Sequence, residues 1–129
     1  MKQYLILFLL AISSLLSCKK DSQDNTFIQH DMSAVSGPAS GAVNEAVVLT
    51  VSYPYSNGCD VIDKFEQETN GSIVSIKAYS KPVPKNAVCT QDTGTKTTSY
   101  NFVSSTTGTF ELRFFNRDGS FISHTIVVQ

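Results

Sequence analysis

The residues able to do chemistry are few and scattered. Two histidines, His30 and His124, stand far apart in a chain of 129 residues. A single histidine inside a folded domain cannot build a His-rich metal site, so His124 is expected to be exposed or satisfied locally. His30 falls in what reads as a leader to the domain. Serines are plentiful, yet no Gly-x-Ser-x-Gly elbow presents a nucleophile, which leaves a Ser-His-Asp arrangement to combinatorics alone. The acids Asp60, Asp63, Glu66 and Glu68 crowd one stretch. In a strand, Asp60, Glu66 and Glu68 share a face with Ile62 and Lys64; that face offers oxygen ligands to Ca²⁺ or, with Lys64 among them, is a solvated outer surface. The second reading is adopted. Asn116-Arg117-Asp118-Gly119 lacks the repeating acids of a calcium loop and reads as a turn, and no Gly-rich loop cradles a phosphate. The expectation is a non-enzyme with no cofactor and no metal.

The N-terminus carries a stronger pattern. Lys2 supplies a minimal positive charge, and Tyr4 to Leu16 form an apolar run of about 13 residues, signal-peptide length where a spanning helix needs roughly 20. Ser17 is the small residue that a cleavage site wants. Leu15-Leu16-Ser17-Cys18 resembles the lipobox of bacterial lipoproteins, with Leu15 at the usual Leu position and Cys18 as the first mature residue. Leu16 departs from that pattern, where Ala or Ser is commoner, and an ordinary secretory signal is the alternative. The resemblance implies a thioether-linked diacylglycerol on Cys18 and an acyl chain (palmitate or similar) on its amino group. One acyl chain anchors marginally at about 0.8 kcal/mol per buried CH₂, so three would hold the chain to a membrane almost permanently. The Lys19-Lys20-Asp21-Ser22-Gln23-Asp24 that follows is similar to small lipoproteins of the Bacteroidota, in which charged residues after the Cys direct export to the cell surface. A solvated tether is the alternative use of the same residues.

With Cys18 given to lipid, Cys59 and Cys89 remain as an even pair in an oxidising compartment, and a disulfide between them is expected. A redox or metal pair is the competing reading, but there is no C-x-x-C spacing and no histidine nearby.

These residues need a scaffold. Residues 1–17 read as signal peptide and 18–37 as lipidated N-terminus and flexible tether, with Thr26 to Ile28 a short sticky segment. Gly37-Pro38 marks the domain start, and 38–129 gives about 90 residues, enough for one core. The formal net charge of −1 excludes the concentrated basic face that nucleic acid requires. Period-two alternation predicts a strand over 46–53, with Val47, Leu49, Val51 and Tyr53 on one face. After Tyr55-Ser56-Asn57-Gly58, read as a turn with Asn-Gly at positive φ, residues 59–69 fit a strand or a short helix; strand is preferred because Asn70-Gly71 then makes a hairpin into 72–79. Pro82 and Pro84 put 80–85 in a loop. Short strands follow over 86–90 and 97–104, and a closing pair over 109–115 and 121–128 turns at Asp118-Gly119.

About seven short strands with no long helix predict an all-β, antiparallel β-sandwich with one disulfide. Its size and its closing hairpin resemble an immunoglobulin-like domain, although the tryptophan of true immunoglobulin cores is absent. Tyr53, Tyr55 and Tyr79 are either a recognition surface or sandwich core and rim. The reading that results is a lipid-anchored module of the cell envelope, on the outer membrane or exported further to the cell surface. It would bind a protein or glycan through loops or an edge strand. A small envelope inhibitor or chaperone-like factor working through a protruding loop is the second hypothesis, and a small hydrolase the third. Sandwich folds host many functions, so fold alone does not choose among them.

Overall fold

The computed structural model describes residues 26–129; the expected signal peptide of 1–17 and the expected lipid site at Cys18 lie outside the described residues. Nine strands form two sheets and no helix is present among the described residues. The larger sheet holds β1 (Ile28–His30), β6 (Ile73–Ser80), β8 (Gly108–Phe115), β9 (Phe121–Val128) and β3 (Ser40–Gly41) in that order, with β5 (Ile62–Asn70) also pairing with β6. The smaller sheet is β2 (Ala34–Ser36), β4 (Val47–Tyr55) and β7 (Gly94–Phe102).

Period-two alternation builds the core. In β4, Val47, Leu49, Val51 and Tyr53 point inward; in β6, Val74, Ile76 and Ala78 do, and in β8 Leu112 and Phe114. Tyr100 and Phe102 of β7 and Ile126 and Val128 of β9 complete the packed layer. Burial of each large apolar side chain contributes roughly 1.5–3 kcal/mol, so this alternation rather than any polar contact decides the fold. Aromatic rings join the sheets edge-on: Tyr100 lies 5.2 Å from Phe65 of β5 and 5.4 Å from Phe114 of β8. Both hairpin turns place a glycine at positive φ, Gly71 at +63° and Gly119 at +85°, but Asn70 itself pairs with Ile73, so the first loop is Gly71-Ser72 rather than the expected Asn70-Gly71.

Four other sequence expectations need correction. The tether does not extend to residue 37: β1 and β2 occupy 28–36, one in each sheet, and Met32 between them is 3% exposed. These strands are only three residues long, too short to show a period. Second, 86–90 is not a strand; the whole stretch from 81 to 93 is irregular, because Val88 finds nothing to pack on and is 98% exposed. Third, β6 with β8 and β3 with β9 pair in parallel, where antiparallel neighbours were expected throughout. The chain leaves β6, crosses to the smaller sheet as β7 and returns as β8 running the same way, a route invisible to alternation, which is identical in both directions. Fourth, Gly58 does not take positive φ. It is needed for close approach: a Cβ there would collide with Thr90 Oγ1.

Candidate functional site

One end of the sandwich gathers most of the polar chemistry. The loop between β4 and β5 (56–61), the loop between β6 and β7 (81–93) and the turn between β8 and β9 meet there, and so does the start of β1, since Ile28 pairs with Ser80 at the end of β6. Cys59 and Cys89 form a disulfide with Cα atoms 5.4 Å apart. The staple joins two loops rather than two strands. It is reinforced by Gly58 N–H donating to the Thr90 carbonyl at 2.9 Å and by Lys96, whose ammonium donates to the carbonyls of Gly58 (3.1 Å) and Asp60 (2.9 Å). Lys96 also sits 4.4 Å above the Tyr55 ring.

Beside the staple is a surface cleft of about 340 Å³, lined among others by His30, Asp31, Tyr55, Ser56, Asp60 and Arg117. His30, assigned from sequence to the tether, is placed here by β1, its ring edge-on to Tyr53 at 5.6 Å. Burial lowers its pKa below the usual 6.5 in spite of the attraction of Asp60. Burial also pushes the Asp60 carboxyl up, but the hydroxyl and backbone N–H of Ser56, donating to Oδ2 at 2.7 and 2.8 Å, outweigh it and hold Asp60 low. Asp31 is held low by Arg117, which donates two guanidinium N–H groups at 3.0 and 2.6 Å and its backbone N–H at 2.8 Å. Each cleft charge is thus already engaged within the protein. Ser56 gives its proton to a carboxylate rather than to a histidine, which is not the geometry of an activated nucleophile.

The other residues singled out from sequence do not converge. His124 is half-buried on β9 with Nε2 3.0 Å from the Pro38 carbonyl oxygen. The acids of β5 are dispersed: a register irregularity between Ile62 and Lys64 turns Asp63 toward Lys81 (3.0 Å), and Lys64 pairs with Glu66 at 2.6 Å. Among the described residues no three His, Cys, Asp or Glu side chains are grouped to hold a metal ion. Tyr53 belongs to the core at 2% exposure, and Tyr55 donates its hydroxyl to Asp92 at 2.9 Å.

A second surface was not legible as a site. The outward residues of the smaller sheet align in rows across its strands, Ala34–Ser52–Thr97 and Ser36–Thr50–Ser99, followed by the pairs Val48–Asn101 and Pro54–Thr95. Apart from half-buried Ser52 all are exposed, and none is charged. The sheet ends at β7, nine residues long, whose outer edge pairs with no strand among the described residues. Ordinarily such an edge is blunted by charge or proline; here only Lys96 is charged, and it points inward to the staple.

Two packed sheets, a loop-to-loop disulfide and an open edge define a stapled β-sandwich module. The model of the ORF11 beta-sandwich domain matches residues 49–128, more than half of the chain, and the protein belongs to that family. The match runs from within β4 to the end of β9 and omits β1 to β3. No curated protein and no solved structure matches the chain.

Proposed function

We propose that this protein is a lipid-anchored, non-enzymatic binding module of the bacterial cell envelope, exported and held to the outer membrane through Cys18. The observation that carries the binding role is the exposed, charge-free face of the smaller sheet ending in the unpaired edge of β7. An extended segment of a partner protein added to β7 would gain main-chain hydrogen bonds, while the hydroxyl rows beside it receive alternate side chains. A glycan is less suited, because this face presents no aromatic ring on which a sugar could stack. The anchor rests on the Leu15-to-Cys18 resemblance, and the hydrogen bond from Ser56 to Asp60 rather than to a histidine supports a non-catalytic role.

A second reading, an inhibitor or chaperone-like factor, draws on the irregular 81–93 loop, which carries Pro82, Pro84 and exposed Val88 and is fixed by the disulfide.

Two measurements test the proposal. Intact mass of the membrane-extracted protein, with and without reduction and beside Cys18→Ala, should give a start at Cys18 with added acyl mass; an unmodified soluble product would sink the anchor. A photo-crosslinking residue placed at Thr97 or Ser99 in cells should yield a discrete adduct that Thr109 on β8 does not. Adducts from the 81–93 loop alone would favour the inhibitor reading, and none at β7 would overturn the edge.

A further inference from the structure

We infer that the stapled end is a second membrane contact, in which the 81–93 loop seats Val88 and Val83 in the lipid interface beside the tether. The inference rests on the lipid anchor proposed at Cys18 and adds to it an orientation and a surface.

Position comes first. The described chain begins next to the staple: Ile28 pairs with Ser80, and the loop starts one residue later. Cys18 stands about eight residues before Thr26, so at 3.3–3.6 Å per extended residue the tether reaches roughly 30 Å at most. The eight residues of β6 alone span about 26 Å at 3.3 Å each. Attached at this end, a tether of that reach lets the staple lie on the bilayer with the Asn70-Gly71 end about the length of β6 further out.

Exposure is the second observation. Val88 is 98%, Val61 52% and Val83 41% exposed, all on the two stapled loops. The disulfide and the Gly58-to-Thr90 hydrogen bond tie down the backbone next to Val88 and Val61. Val88 is thus held out in water beside a tied backbone, where an apolar lipid interface would cover it.

Charge is the third. Lys85 stands two residues after Val83 and has no acid paired with it among the described ion pairs, as suits an anionic headgroup layer. The nearby acids are engaged internally, Asp63 with Lys81, Asp60 with Ser56, and Asp92 with Tyr55 and Thr90.

The sequence contains no tryptophan, so Val88→Trp introduces a single reporter at a position that packs on nothing. The chain from residue 19 onward keeps every described residue. With an N-terminal hexahistidine in place of the lipid, it is anchored to vesicles of phosphatidylethanolamine and phosphatidylglycerol containing a nickel-chelating lipid. Indole emission from the Val88→Trp chain should move to the blue on anchoring and be quenched by brominated acyl chains. A Ser105→Trp chain, with its indole exposed toward the opposite end, should show neither change. Emission from the Val88→Trp chain that stays water-like and unquenched overturns the contact and leaves the loop to a protein partner. Because this anchoring does not use Cys18, the outcome is independent of the mass measurement. An unmodified Cys18 would remove the natural anchor, and an unquenched indole on the 81–93 loop would remove the loop contact.

Discussion

The backbone N–H of Met32 donates to Asn116 Oδ1 at 2.8 Å, joining the linker between the first two strands to the turn of the last hairpin, 84 residues away. Met32 itself is buried in the core, and the adjacent Asp31–Arg117 pair closes the same junction. The N-terminal segment is therefore part of the domain. A chain beginning at Pro38 loses β1, β2 and the Met32 side chain, whose removal by itself is worth about 2–5 kcal/mol. It should show no cooperative urea transition, whereas one beginning at Thr26 keeps it. Equal midpoints would show the segment to be dispensable.

Removing the staple has a calculable cost. Cys59 and Cys89 are 30 residues apart, and closing a loop of that size stabilises by about 3–4 kcal/mol on the chain-entropy model. The double Cys→Ser variant should lose about that much in equilibrium denaturation. Hydrogen exchange should accelerate first in 56–61 and 81–93, the loops that the bond joins, with the β8–β9 hairpin least affected.

Gly58→Ala tests the close approach of those loops. The new methyl meets Thr90 Oγ1, which also donates to Asp92, so the substitution should cost on the order of 1–3 kcal/mol through crowding. Thr90→Ala in the same chain removes the obstructing hydroxyl and should recover much of the loss. Additive effects of the two substitutions would show that they do not touch.

Acid should weaken the fold first through His30. Its folded pKa lies below 6.5 because burial disfavours the imidazolium, so the unfolded chain takes up a proton before the folded one does. Stability is complete above about pH 6.5 and is lost as pH falls from there toward the lowered folded value. Asp31 and Asp60, both held below 3.8, add a separate loss only at lower pH, as they protonate. His30→Gln should flatten the upper window and leave the lower one. Parallel melting profiles between about pH 7.5 and 5 would contradict this assignment.

The parts of the fold legible in the sequence are those whose side chains alternate over a full strand. Val47 to Tyr53, Ile73 to Tyr79 and Phe110 to Phe114 each declare an inner face, and the turns at Asn70-Gly71 and Asp118-Gly119 declare hairpins. Three-residue strands offer one inward position apiece, too little for a pattern, so β1 and β2 passed for tether and His30 with them. Apolar composition misled at Ala87-Val88, where the disulfide, rather than packing, holds the chain. The hydroxyl face was hidden for another reason: alternating Thr and Ser at 95, 97 and 99 look like ordinary outward strand positions until the register lines them up with β4. The Cys59–Cys89 pairing, by contrast, followed from counting.

The parallel joint between β6 and β8 separates local from non-local pairing in the larger sheet. The hairpins β5–β6 and β8–β9 close across a few residues, and loops that short form at little entropic cost. Ile73 pairs with Glu111 across a stretch of chain that includes β7 of the opposite sheet, so this contact closes a much larger loop. Each hairpin on its own has an open flank where the other will dock. The two hairpins are thus local units, and the seam that joins them is a non-local contact that raises the contact order of the larger sheet.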